Sequence, residues 1–283
     1  MPRRSFGGPS ALFILLCLAL AVGTTQVQAQ PKQVVSLNLC TDQLLLALAD
    51  RGQVASLSRL ARDPAISFMA DQAAGFPLND GRAETILFSS ADLVLTGTYG
   101  QQEQVALLRR QGLEVLTFGP WSSLEEGRGQ IRLLARSLGH AERGEALIAR
   151  IDAALDRAKN LVPFRRSLLI YDRGGWVTAA RSPLGELLVH MGFALHQEAL
   201  GLSHGGVAGL EAIVTEPPDF MLVDAHARQA LDNGTALFVH PALLAAVPPE
   251  RRLAVSSRLT ICGGPSTPEA IEALSAEVKA RIR

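Results

Sequence analysis

Residues 84–95 read ETILFSSADLVL, and residues 211–222 read EAIVTEPPDFML. In both stretches a glutamate opens a short helical pattern, a polar break follows, and an aspartate eight residues after the glutamate precedes an apolar run of strand length. This order is typical of a helix that leads into a strand. Because the two copies lie 127 residues apart in a chain of 283, they predict two similar α/β lobes with a cleft between them.

Strand and helix patterns alternate on both sides of these two stretches. In the first half we predict strands at 34–37, 54–58, 93–96 and 114–118, and helices at 41–49, 84–89 and 101–111. In the second half we predict strands at 168–171, 220–223 and 253–256, and helices at 184–191, 210–215, 241–246 and from 268 onward. Such alternation favours an α/β fold with a parallel, doubly wound sheet in each lobe.

The middle of the chain carries no strand pattern. Apolar residues recur there at helical spacing between 124 and 158, and Gly139 divides the pattern in two. The second part, 141–160, would be a helix of ~30 Å, long enough to cross from one lobe to the other, although the pattern fits equally a helix that covers one sheet. The predicted organisation is a leader at 1–29, a first lobe at 30–120, a helical segment at 121–160 and a second lobe at 161–283.

The N-terminus has the pattern of an export signal. Arg3 and Arg4 precede an unbroken apolar run at 11–22, and the small residues around Gln28 predict cleavage after Ala29. A membrane anchor is disfavoured because the run is shorter than the ~20 residues that span a bilayer. Export by the general or the twin-arginine route stays open. A net charge of zero, with no basic patch, argues against a nucleic-acid partner.

Aromatic residues make up only 5% of the chain, and three of them follow predicted strands closely. These are Tyr99, Trp121 and Trp176. In open parallel sheets ligands bind outside the carboxyl ends of the strands, so we predict that all three contact a ligand. The alternative is ordinary packing at the end of each lobe.

Polar side chains occupy similar strand-end positions. Arg173 and Arg258 each follow a predicted strand, where a guanidinium suits an anionic or carbonyl-rich ligand. Solvent-exposed arginines are the alternative, above all for Arg258. Asp42 opens the first helix after the first strand, and we include it among the ligand-binding residues.

A rival hypothesis is a secreted hydrolase. Residues 201–205 spell the G-x-S-x-G motif around Ser203, with acids and His240 following in triad order. The motif lacks the strand before the serine and the helix after it that a nucleophile elbow requires, so we expect no catalytic residue. His204 and His226 are too scattered to predict a metal site, and no phosphate-binding glycine motif indicates a nucleotide enzyme.

Beyond the leader the chain keeps two cysteines. Cys40 follows the first predicted strand, and Cys262 precedes the last predicted helix. An exported chain with an even pair of cysteines is compatible with a disulfide, and two independent buried thiols are the alternative.

Three features together resemble a known family. Residues 34–42 (VVSLNLCTD), the repeated Glu84 and Glu211 segments, and residues 261–265 (ICGGP) are similar to the periplasmic substrate-binding proteins of ABC importers for vitamin B12 and ferric siderophores. The resemblance covers essentially all of the chain after the leader. It implies a class III periplasmic binding protein fold, with two lobes joined by one rigid helix and limited closure about the ligand.

The resemblance also implies a function. The protein is expected to be a periplasmic monomer that carries a corrinoid, a ferric siderophore or haem to a permease dimer with its ATPase subunits, with no cofactor other than metal within the ligand. Glu84 and Glu211 occupy the positions that dock onto permease arginines in that family. A favourable charge at a helix start explains each glutamate singly, but does not require both lobes to share it. A metal-ion binder of related architecture is a further alternative.

Overall fold

A four-stranded parallel sheet forms the first lobe of the computed structural model, which describes residues 33–225 and 232–282. The predicted leader and His226 lie outside the described residues. The strands are β1 (Val34–Ser36), β2 (Val54–Ser56), β3 (Leu93–Gly97) and β4 (Glu114–Phe118), in the order β2-β1-β3-β4. β3 is buried at every residue, as expected of an apolar run in the middle of a parallel sheet.

Four helices belong to this lobe: α1 (Leu39–Leu48), α2 (Ala70–Ala73), α3 (Ala83–Leu87) and α4 (Gln102–Arg110). α1 begins where the sequence requires it, because the Asn38 side chain accepts a hydrogen bond from the Cys40 N–H at 2.9 Å. This cap directs the chain from the carboxyl end of β1 straight into the helix. The start of α1 therefore lies at the edge of the sheet where ligands of such folds bind.

Two antiparallel helices connect the lobes, α5 (Leu124–Leu138) and α6 (Ala141–Ala158). Gly139 ends α5 with a φ of 80°, a left-handed conformation that favours glycine, as the break in the pattern predicts. α6 starts against the first lobe, where Arg143 donates to Leu48 O at 3.0 Å. It ends against the second lobe, where His190 Nε2 donates to Leu155 O at 2.8 Å. The hypothesis of a helix that crosses between lobes is confirmed.

The second lobe has a six-stranded sheet of mixed direction. Its strands are β5 (Ser167–Asp172), β6 (Trp176–Val177), β7 (Ala194–Leu195), β8 (Gly206–Val207), β9 (Phe220–Asp224) and β10 (Arg252–Val255). β5 pairs in parallel with β7 and β9, and β9 pairs in parallel with β10, whereas β6 and β8 are antiparallel. The expectation of a wholly parallel second sheet is corrected here. Gly174 and Gly175, with φ of 72° and 81°, turn the chain back onto β5.

The helices of the second lobe are α7 (Pro183–His190), α8 (His196–Ala199), α9 (Leu210–Thr215), α10 (Pro241–Ala246), α11 (Ser257–Thr260) and α12 (Thr267–Arg281). α12 packs along α6, where Arg150 and Arg157 pair with Glu269 and Glu272 at 3.0 and 2.9 Å. One hydrophobic core runs from the first sheet through α5 and α6 into the second lobe. In the described ranges no helix is long and apolar enough to span a membrane.

Candidate functional site

A cavity of about 580 Å³ lies between the two lobes. Both lobes contribute to its wall, the first through the carboxyl ends of β3 and β4 and the start of α1, and the second through the end of β5, α7, α11 and the start of α12. The volume falls within the ~300–1,000 Å³ typical of small-molecule sites. The predicted cleft at the strand ends is therefore present.

The wall is mainly apolar. Phe118, Leu124 and the indole of Trp121 line it from the first lobe and the connecting helix, and Leu184 and Leu187 line it from α7. Hydroxyl and amide side chains are interspersed among them, with Asn38, Thr98, Gln130 and Ser257 as examples. Such a surface suits a ligand with large apolar faces and a hydrogen-bonding periphery.

Tyr99 and Trp121 are the two predicted ligand residues on this wall. Tyr99 follows β3 and remains 79% exposed, so it lies at the rim of the cavity. Trp121 lies deeper, against two glycines: a Cβ added at Gly127 or at Gly263 would fall 2.2 to 2.5 Å from the same ring carbons. Glycine is required at both positions, because any side chain there would displace the indole. Trp121 thus packs where α5 and the second lobe meet.

The other four predicted ligand residues do not line the cavity. Trp176 is half exposed on β6, Arg173 forms an ion pair with Asp232, and Arg258 is exposed on α11. Asp42 requires a correction, because it is fully buried and both of its carboxylate oxygens accept hydrogen bonds from Ser58. Its role is in the packing of α1 rather than in ligand contact.

Asp172, at the end of β5, carries the only charged side chain among the described residues that line the cavity. Its carboxylate accepts a hydrogen bond from the Thr178 hydroxyl at 2.8 Å. Burial raises the pKa of Asp172, and the nearby charge of Asp224 raises it further, whereas the Thr178 hydroxyl lowers it. Asp172 was not among the predicted ligand residues, although its position at the end of an apolar strand could have indicated it.

The disulfide joins the two lobes at the cavity. Cys40, in the first turn of α1, is bonded to Cys262, just before α12, and both line the wall. The segment after Cys262 also packs closely on the first lobe, because a Cβ at Gly264 would lie 2.8 Å from Leu44. The lobes are therefore linked on the cavity side as well as through α5 and α6.

Glu84 and Glu211 are both exposed, in the first turns of α3 and α9. Glu84 lies 3.9 Å from Arg82, a distance at which a solvent-exposed ion pair contributes little. Neither glutamate lines the cavity. Both are accessible to a partner without disturbing the ligand site.

The hydrolase hypothesis is not supported. Ser203 lies in a turn between α8 and β8, so no strand leads into it and no helix follows. His240 is engaged elsewhere, since its Nδ1 accepts the Ala242 N–H at the start of α10. Within residues 33–225 and 232–282, no group of three or more His, Cys, Asp or Glu side chains could hold a metal ion.

Comparison with known proteins gives a family and a set of structural neighbours. A family model described as periplasmic binding protein matches residues 34–245. A search of curated protein sequences finds no match. Among solved structures, the apo periplasmic heme-binding protein RhuT from Roseiflexus sp. RS-1 is 22% identical, with a TM-score of 0.70 over 88% of this chain and 97% of that one.

Two further neighbours have the same fold. A periplasmic heme-binding protein from Pseudomonas aeruginosa is 20% identical, with a TM-score of 0.65 over 87% of this chain and 92% of the other. FhuD2 from Staphylococcus aureus, in an unliganded, reductively methylated form, is 12% identical, with a TM-score of 0.70 over 89% of this chain and 100% of the other. These likenesses show the fold.

Proposed function

We propose, from the premise that this chain belongs to the periplasmic binding protein family, that it is the exported solute-binding component of an ABC importer. It captures a metal complex between its lobes and delivers that complex, chemically unchanged, to a permease. The observation that carries the proposal is the cavity of about 580 Å³ that both lobes line with apolar and uncharged polar side chains. The metal arrives with the cargo, and the protein needs no resident cofactor.

The charge of the wall favours one kind of metal complex. No Lys, Arg or His side chain is among the described residues that line the cavity, and Asp172 is the one acid. A ferric siderophore with net negative charge would meet no opposite charge among these lining residues, and the cost of an unpaired charge grows with its burial. A macrocycle such as haem or a corrinoid instead presents broad apolar faces to Phe118, Trp121 and Leu187.

Tyr99 suits a macrocycle that contains ferric iron. Its phenol oxygen is a known type of haem ligand, and the residue lies at the rim of the cavity, among the side chains that line it. The neighbours RhuT and the Pseudomonas aeruginosa protein are periplasmic heme-binding proteins, which also supports haem as one candidate. Corrinoids and ferric siderophores complete the set to be tested.

Tryptophan fluorescence can test ligand capture and locate it in one measurement. The chain has two tryptophans, so Trp176→Phe leaves Trp121 as the only one. We expect hemin or cobinamide to quench the emission of Trp176→Phe strongly, because Trp121 lines the cavity, and to quench Trp121→Phe weakly. Ferrichrome, a ferric siderophore, is titrated in the same way as a third ligand.

If none of hemin, cobinamide and ferrichrome binds saturably, the proposal is contradicted. Stronger quenching of Trp121→Phe than of Trp176→Phe would place the ligand outside the cavity. Hydrolysis of a model ester that disappears in Ser203→Ala would restore the hydrolase hypothesis.

Glu84 and Glu211 are the proposed contacts to the permease. Two lobes that present the same acid in the first turn of the same helix match a partner with approximate twofold symmetry. Complementary charges at such an interface set orientation and encounter rate, and truncating a desolvated partner costs ~2–5 kcal/mol. The chain acts as a monomer after cleavage near Ala29.

Uptake assays can separate docking from ligand capture. We expect Glu84→Ala and Glu211→Ala to impair transport and transporter-stimulated ATP hydrolysis, and the double variant to be worse than either single variant. Ligand affinity should be unchanged, because neither side chain lines the cavity. Glu216→Ala, an exposed acid just after α9, is the matched control. Normal uptake by both single variants at limiting protein concentration would leave only a helix-dipole role for the two acids.

A further inference from the structure

Asp172 is the one charged side chain among the described residues of the cavity wall. It ends β5, next to the carboxyl end of β9, and the register that pairs Leu168 with Phe220 and Ile170 with Leu222 brings Asp224 to the neighbouring position. The two acids have different surroundings. Asp224 accepts the Ser257 N–H at 2.7 Å and does not line the cavity, whereas Asp172 does.

The hydrogen-bonding capacity of Asp172 is only partly used by the protein. Its carboxylate accepts from the Thr178 hydroxyl at 2.8 Å, and Arg173, the cation next in sequence, pairs with Asp232 instead. An ionised carboxylate has about four acceptor sites and no donor. Asp172 is part of the cavity wall, so its carboxylate keeps acceptor capacity that a ligand in the cavity can use.

A carboxylate in this position discriminates between ligands. It attracts N–H donors, above all primary amides and ammonium groups, and it repels a carboxylate brought into the same partly desolvated space. Burial and the charge of Asp224 both act on Asp172, so a ligand group that donates to it relieves an unfavourable environment, and an anionic group makes that environment worse.

We propose that Asp172 selects metal macrocycles whose periphery carries amide or ammonium donors over those whose periphery carries carboxylates. This inference rests on the proposed function of the cavity and narrows its ligand class. An amide-substituted corrinoid ring fits the description, whereas a haem with two free propionates does not. Apolar faces bind against Phe118 and Trp121, and the amide edge lies against Asp172.

A matched pair of ligands tests this directly: iron protoporphyrin with its two propionates, and the same macrocycle with both propionates converted to primary amides. We expect the wild-type protein to bind the diamide about tenfold or more tightly than the dicarboxylate, the range of a hydrogen bond to a charged group. Asp172→Asn keeps the shape of the side chain and removes its charge, so most of that preference should disappear. The affinity for cobinamide, whose periphery also carries amides, should fall in Asp172→Asn as the affinity for the diamide does.

Asp224→Asn is the control variant. This substitution removes the neighbouring charge and keeps an oxygen that accepts the Ser257 N–H. Because Asp224 does not line the cavity, the variant should still bind the diamide more tightly than the dicarboxylate. Thermal unfolding of each variant checks that the fold is intact. Tighter binding of the dicarboxylate by the wild type, or a preference that survives in Asp172→Asn, would overturn the inference and leave the proposed function standing. If neither macrocycle, cobinamide nor ferrichrome binds, the proposed function itself fails.

Discussion

Asp42 shows how one buried side chain couples stability to pH. It lies in the first turn of α1 with no exposed surface, and Ser58 donates to its carboxylate through both the backbone N–H and the hydroxyl. Burial disfavours the charged form and raises the pKa from 3.8 to about 6, even though the hydrogen bonds from serine hydroxyls lower it. The folded state therefore binds a proton more tightly than the unfolded chain.

The sign of the effect follows from that difference in pKa. Well below pH 3.8 Asp42 is protonated in both the folded and the unfolded state, so its full contribution to the free energy of unfolding is present. Between pH 3.8 and about 6 the unfolded chain releases this proton while the folded state keeps it, so the fold loses stability as the pH rises, by a total on the order of 3 kcal/mol above pH 6. Because Asn carries no charge, we expect Asp42→Asn to gain stability relative to the wild type between pH 4 and pH 6.5, and to hold that gain above it.

Urea denaturation at pH 4.5, 6 and 7.5 gives the free energy of unfolding of the wild type and of Asp42→Asn. The difference between the two values cancels the titration of all other groups. Ser58→Ala is the control, because it removes only the hydroxyl partner and leaves the Asp42 carboxyl in place. The difference in unfolding free energy between Ser58→Ala and Asp42→Asn should therefore still change with pH. A difference between Asp42→Asn and the wild type that is independent of pH would show that the pKa of Asp42 is not raised.

At the scale of elements, the repeated aspartates tie the two central strands of each lobe together. Asp92, before β3, accepts the Gln33 N–H at 2.9 Å, at the start of β1. Asp219, before β9, accepts the Ser167 N–H at 2.8 Å, at the start of β5. In both lobes the acid satisfies a backbone donor at the strand start that the parallel pairing leaves open. The aspartate of the repeat is thus structural, whereas its glutamate is exposed.

Removal of this tie should be measurable in the second lobe. We expect Asp219→Ala to lower the free energy of unfolding by about 1–2 kcal/mol, because the Ser167 N–H and hydroxyl both lose an acceptor. Asp156→Ala, at an exposed position of α6, should change it by less than about 0.5 kcal/mol. Chemical denaturation of the two variants compares them, and equal losses would refute the structural role of Asp219.

The whole molecule is held at two places. α5 and α6 cross between the lobes on one side, and the bond between Cys40 and Cys262 links them at the cavity. The indole of Trp121 packs beside this bond, against Gly127 and Gly263. Two separate links restrict how far the lobes can part.

The disulfide should also contribute to global stability. It spans 222 residues of chain, so the loss of entropy in the unfolded state predicts a stabilisation of up to about 5 kcal/mol, with smaller values common in practice. The Cys40→Ser, Cys262→Ser double variant should therefore unfold at lower urea concentration than the wild type. Addition of reductant should bring the wild type to the level of the double variant and leave the variant unchanged.

Mass spectrometry of the unreduced, alkylated protein provides an independent readout. Two alkylated cysteines, together with no effect of reductant on unfolding, would exclude the bond.

The order of the main helices and strands was predictable from the sequence, because secondary structure depends on local patterns of apolar residues. The short strands β6, β7 and β8 and the short helices α2, α8 and α11 were not predicted, because two to four residues are too few to show such a pattern. The central strands, the break at Gly139 and the long helix after it follow from the spacing of side chains a few positions apart, whereas the crossing of that helix between the lobes did not. The repeat around Asp92 and Asp219 was predictable for the same reason, and its two copies indicated the two lobes and the cleft between them.

The composition of the site was decided only by the tertiary structure. Whether a residue after a strand faces the cavity depends on the turn that follows, and the glycine turn after Asp172 carries Arg173 and Trp176 away from the wall while Asp172 stays on it. The pairing of Cys40 with Cys262 depends on a packing of lobes that no local pattern encodes. Local spacing determined the elements, and contacts between residues distant in sequence determined which side chains meet the ligand.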